Sequence, residues 1–166
     1  MTRFISSIFL LLVTAIIGAV EVNADPTEKQ CDEGIGMTFE GWMDWRKVTP
    51  KPVRSKGHNY NWVGIYVDEL AEDTYLSAGA PYPECATIVK PIYNDADGKS
   101  VRKLTIIVKM VPGYDPENGD WWYASGDATG TRVGEQGRLN GCIPCHKQAA
   151  ETDYLFSKEV LDAAKE

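Results

Sequence analysis

The sequence predicts an α+β protein, a mostly antiparallel β-sheet with peripheral helices. Three observations carry that expectation. Residues 101–111 (VRKLTIIVKMV) alternate strictly, with Leu104, Ile106, Val108 and Met110 on one side and Lys103, Thr105, Ile107 and Lys109 on the other. Just before them, Asn94-Asp95-Ala96-Asp97-Gly98-Lys99 has Asp-Gly at its centre, the chemistry of a tight hairpin turn. The two ends of the domain instead carry apolar residues near helical spacing.

Taken in order, residues 25–36 are a polar lead-in. TFEGWMDWRK (38–47) spaces Phe39, Trp42, Met43 and Trp45 as a helix with Thr38 at its N-cap. TPKPVRSKGHN (49–59) holds two prolines and a glycine and reads as a loop. NWVGIYVDEL (61–70) is rich in β-formers and reads as a strand, followed by the turn SAGAPYPE (77–84). Residues 86–90 form a short strand that Pro91 stops. After the hairpin and the long strand 101–111, the loop PGYDPENGD leads to a strand at 121–124. Residues 126–141 are Gly-rich, a further hairpin and connector, and 157–165 form a C-terminal helix with Ser157 as N-cap.

The 166 residues suit one domain. Arg3 followed by an apolar run over residues 4–20 and then Val22-Asn23-Ala24 has the layout of a secretory signal peptide. Residues 1–24 are therefore expected to be removed, leaving a domain at 25–166 in the periplasm; an uncleaved N-terminal anchor is the competing reading. The net charge of −7 supplies no basic stripe, which argues against nucleic-acid binding. Only two histidines are present, His58 and His146, so a site of three imidazoles is excluded.

Four cysteines in an exported protein read by default as two disulfides. Cys31 and Cys85 are free to pair with each other, and whether their Cα atoms approach closely enough is open at this stage. Cys142-Ile143-Pro144-Cys145-His146 is different. It is C-x-x-C-H, the attachment sequence of a c-type haem. Two thiols on one turn can bond the two vinyl groups of a porphyrin, and His146 follows as the axial ligand of the iron. A thioredoxin-like C-x-x-C belongs in an early βαβ unit, not near the end of a sheet-rich chain. A zinc site would have to recruit His58, Cys31 or Cys85, none of which is locally paired.

For the sixth iron position the candidates are His58, Met37, Met43, Met110 and Lys90. His58 sits in a polar loop, Met110 on the apolar face of a strand, and Met37 and Met43 beside aromatics. None is compelling, so an open distal site is expected. Aromatics from the region of Trp62, Trp121 and Tyr123 are expected to wall it.

With the motif in place, TPKPVRSKGHN, VGIYVDELA, YPECATIVK, LTIIVKMVPGYDPENGDWWYA and NGCIPCHKQAAETDYLF resemble the cytochrome P-460 family, which includes the cytochromes c′-β. The resemblance implies a β-rich homodimer with one pentacoordinate haem c per chain. It also implies hydroxylamine or nitric oxide as the small ligand and a soluble cytochrome as redox partner. It singles out Lys90: in the P-460 branch a lysine at the similar strand position is bonded to the porphyrin rim, and in the c′-β branch that bond is absent. By composition alone Lys90 would be a surface lysine. The resemblance further implies a distal carboxylate in members that oxidise hydroxylamine. Residues 104–110 contain none, while Glu84, Asp95, Asp97, Asp115 and Glu117 fall in turns. Three functions therefore stand open: an oxidase of small nitrogen species, a nitric oxide binder, and a plain electron carrier.

Overall fold

The computed structural model describes Cys31 and residues 36–165; the expected leader lies outside them, as does most of the lead-in. Eight strands form one antiparallel sheet: β1 (Arg46–Lys47), β2 (Val53–Ser55), β3 (Asn61–Val63), β4 (Tyr66–Val67), β5 (Thr87–Tyr93), β6 (Val101–Lys109), β7 (Trp121–Gly126) and β8 (Val133–Gly137). The order is β1-β4-β5-β6-β7-β8, with β3 joined to β5 alongside β4 and β2 outside β3. The helices α1 (Glu69–Leu76), α2 (Ile143–His146) and α3 (Ser157–Ala163) pack at the periphery. The α+β, mainly antiparallel class is as expected. Among the described residues no helix is long and apolar enough to cross a membrane.

The strands are covered on both faces. On one, Val89, Leu104, Ile106, Val108, Trp122 and Ala124 pack with Cys31, Met37, Phe39 and Trp42 from the start of the domain. Cys31 and Cys85 form a disulfide there, their Cα atoms 5.4 Å apart. On the other face, Ile88, Ile107, Trp121 and Tyr123 pack with Ala71 and Tyr75 of α1, Leu155, and the partly buried Cys142 and Ile143. The alternation read in β6 holds: its apolar face closes the first core, and its mixed face looks toward the C-x-x-C-H segment.

The hairpin between β5 and β6 is as the Asp-Gly signal implied. Gly98 has φ 72, and the Asp95 carboxylate accepts from the N–H groups of Asp97, Lys99 and Ser100.

Four local expectations are corrected. Pro91 does not end β5, which continues to Tyr93. The Pro91 carbonyl accepts from Gly64 N at 3.1 Å, so its nitrogen, on the same edge, faces the jog between β3 and β4 and costs the β6 ladder no donor. Residues 38–47 form no α-helix. Gly41 is left-handed at φ 82, only a single 3-10 turn (Trp42–Asp44) follows, and β1 starts at once; Phe39 N bonds Gly130 O, so Thr38 caps nothing. The stretch 61–70 is two short strands and the start of α1, because Asp68 accepts from Ala71 N and caps a helix. Lastly, Ser157 is the first residue of α3 and fully buried, with Phe156 at the cap position.

Candidate functional site

The register of β5, β6 and β7 builds the site floor. Ile88 faces Ile107, which faces Tyr123; one step on, Lys90 faces Thr105, which faces Ser125. Successive side chains in a strand alternate, so both rows lie on the face opposite the disulfide. Above them Leu139 N–H and carbonyl contacts turn the chain into Cys142, and α2 presents the motif. A cavity of about 230 Å³ lies between, lined by Lys90, Thr105, Tyr123, Glu135, Cys142 and His146 among others. A second, of about 550 Å³, shares His58, Lys90, Cys145, His146 and Phe156 with it and is lined further by Arg54 and Glu159. The larger is within the usual range of cofactor pockets.

His146 is held on one side. Its Nδ1 donates to the Tyr154 carbonyl at 2.6 Å, and its ring packs edge-on against Tyr123 and Phe156 with centroids 5.2 and 5.9 Å away. The tautomer that makes this bond leaves Nε2 with its lone pair. Burial, helped by the charge of Lys90, lowers the imidazole to about 4, so it stays neutral and able to ligate at neutral pH. Cys142 and Cys145 are free thiols, while the other two cysteines are spent on the disulfide.

Lys90 is partly buried within the middle of β5, not on the surface. Its Nζ donates to His58 Nε2 at 3.1 Å. Desolvation lowers the ammonium to about 8, bringing it near the neutral, nucleophilic form. His58 is thereby corrected as well: the loop that carries it folds into a 3-10 turn (Lys56–His58) and enters the cavity wall. At Gly57 a Cβ would stand 3.4 Å from Cys145 Sγ, which shows how closely this loop lies on the motif. Burial, then Lys90, lowers His58 to about 3.

Of the aromatics expected around the site, only Tyr123 reaches it. Trp121 is sealed in the core with its Nε1 on the Asp153 carbonyl, and Trp62 lies under the Arg54 guanidinium, 4.2 Å from ring centroid to Cζ. Phe156 and Tyr75 take their places. The methionines are elsewhere: Met37 and Met110 are in the opposite core and Met43 is 63% exposed.

Glu135 is a carboxylate on the wall of the smaller cavity that the sequence did not reveal. It lies in the Gly-rich stretch read only as a connector. A register shift between Ala124 and Gly126 reverses the phase of β8: Val133 stands opposite Gly126 and Gln136 opposite Ala124, so Glu135 turns to the cavity face. Composition carries no signal for such a bulge. The turn carboxylates Asp95 and Asp115 are used in their own loops instead.

Compared with known proteins, the family model for cytochrome P460 matches residues 39–157. The chain belongs to the cytochrome P460 family. Among curated proteins, none matches the chain. The matched span takes in all eight strands, Lys90 and the C-x-x-C-H motif. Membership in a cytochrome family makes this a haem protein, and the residues present fit the group. Two unpaired thiols, an imidazole with Nε2 left free, and adjoining cavities bordered by all three are the donor set that a covalently held haem needs. Cys142, Cys145 and His146 are the residues of this chain that would hold it.

Proposed function

We propose that the protein is a periplasmic monohaem c-type cytochrome that binds or oxidises hydroxylamine or nitric oxide at an open iron face. The observation that carries this is the one-sided arrangement of His146, fixed at Nδ1 beside two free thiols and a cavity. The other donors support an open face. His58 is engaged by Lys90, and Met37, Met43 and Met110 lie outside the cavity walls.

When bound, the haem supplies a redox-active iron. Cys142 and Cys145 would hold the group, and His146 would ligate its iron. Lys90, desolvated and lining the same cavity, would be the residue that bonds the porphyrin rim if the protein follows the P-460 branch. Glu135 is placed to accept a proton from a substrate N–H. Tyr123 and Phe156 keep the imidazole oriented. A soluble cytochrome takes the electrons away, and two copies of the chain associate as a dimer.

A second reading, a nitric oxide binder without turnover, is favoured by the exposure of Glu135, because a base at the rim competes with water for its proton. Turnover decides between them. Exported, purified protein is expected to oxidise hydroxylamine with an added electron acceptor, and Glu135→Gln to slow it roughly 100-fold or more. No turnover in the wild type supports the binder. A low-spin reduced spectrum insensitive to carbon monoxide sinks both and leaves the electron carrier. Lys90→Ala with an unaltered haem spectrum excludes the rim bond.

A further inference from the structure

The carbonyl that holds His146 belongs to an unusual turn. Asp153 (φ 50) and Tyr154 (φ 66) are consecutive non-glycine residues in the left-handed region, a conformation that persists only where the surroundings impose it. Here they do. Asp153 is 8% exposed and is bound from two strands and the loop before β5. Lys109 Nζ, at the end of β6, donates to both carboxylate oxygens at 2.8 and 2.7 Å. Tyr82 N donates to Oδ2 at 2.9 Å, and Trp121 Nε1, at the start of β7, donates to the Asp153 carbonyl at 2.9 Å. Lys109 also donates to the Gly119 carbonyl at 2.9 Å, and the Tyr154 ring lies directly on Gly119. None of Tyr82, Lys109, Trp121 and Asp153 borders either cavity.

We infer that the Lys109–Asp153 ion pair is a positioning device for the axial imidazole, locking the 153–154 turn to the sheet so that the Tyr154 carbonyl stays on His146 Nδ1. This rests on the reading of His146 as the iron ligand. A hydrogen-bond acceptor on the outer nitrogen fixes the ring plane and raises the basicity of the inner one, which lowers the reduction potential of the iron it binds. A buried ion pair kept for stability alone is weakly motivated, since apolar replacements of such pairs are often no less stable. Aimed through one carbonyl at the ligand, the pair has a reason to be ionic: Lys109 grips both oxygens of the Asp153 carboxylate, one of which also holds Tyr82 N.

The test uses the haem-loaded protein and three variants, Lys109→Met, Asp153→Asn and Lys109→Arg. Resonance Raman of the ferrous form reads the iron–imidazole stretch, redox titration reads the potential, and haem content serves as control. Lys109→Met and Asp153→Asn are expected to move the stretch to lower frequency and the potential to more positive values at unchanged haem content. Lys109→Arg, which keeps the charge and the donors, is expected to restore both. Stretch and potential unchanged in the first two variants overturn the inference. Should either fail to fold, Trp121→Phe removes the indole donor to Asp153 and trims the ring that Lys109 and Tyr82 pack against; it is expected to shift both readouts the same way by less, and no shift overturns the inference. Failure of the underlying reading looks different: an iron–imidazole band that survives His146→Ala shows another ligand, and removes the clamp's target.

Discussion

Gly119→Ala is the sharpest probe of how the C-terminal turn is seated. Gly119 has φ 74, where a side chain costs about 1–2 kcal/mol, and its added Cβ would fall inside the Tyr154 ring and 3.2 Å from Trp121 Cδ1. Neither neighbour yields easily, for Trp121 is fully buried and Tyr154 stands on a left-handed backbone bonded to Ala149. Overpacking of this kind adds about 1–3 kcal/mol, so a total of roughly 2–5 kcal/mol is expected. Gly41 supplies the control. It is also left-handed, at φ 82, but nothing lies within 4 Å of its added Cβ, so Gly41→Ala should show the backbone cost alone. Urea unfolding of both variants, with slopes matching the wild type, measures the difference. If Gly119→Ala costs no more than Gly41→Ala, Tyr154 is free to move and the account of a seated turn is wrong.

Replacing Cys142 or Cys145 by Ser should leave haem held by a single bond, and replacing both should leave none retained after acidic acetone extraction; retention in the double variant would refute attachment there. Replacing both Cys31 and Cys85 by Ser, which opens a bridge across 54 positions, should lower stability by about 4 kcal/mol, read from the shift of the urea midpoint. His58 ordinarily titrates near 6.5 but is lowered to about 3 by burial. Between those values the unfolded chain binds a proton that the folded chain refuses, so stability falls as pH drops from 6.5 toward 3, by up to about 4 kcal/mol from this group. His58→Gln should flatten that part of the profile, and an unchanged acid slope would show that His58 is not buried.

Much of the site was legible because it is local. C-x-x-C-H is a single turn of chain, and the alternation of β6 declares which of its faces is apolar without reference to any other strand. Lys90 was singled out by resemblance, yet reading Pro91 as a terminator understated its strand; the missing donor does no harm only because β3 and β4 leave a jog opposite it. His58 looked like a surface residue since its loop is polar, and only the packing of Gly57 against Cys145 brings the imidazole indoors. Glu135 depends on a bulge in its own strand, where two residues of β8 stand opposite one of β7. The expected helix near Trp42 failed for a related reason: its aromatic spacing serves plugs for a sheet face, and a left-handed Gly41 breaks the run.

The sequence by itself determined the class of the fold, the strand that organises it and the three residues suited to hold a haem, because periodicity and a pentapeptide are short-range properties. Only the tertiary structure decided what surrounds them. Whether a lysine, an imidazole and a carboxylate face one cavity depends on strand register and bulges. Whether an ion pair in β6 can steady a histidine depends on where a C-terminal turn lands. Those are long-range contacts, set by packing between segments that a linear reading sees separately.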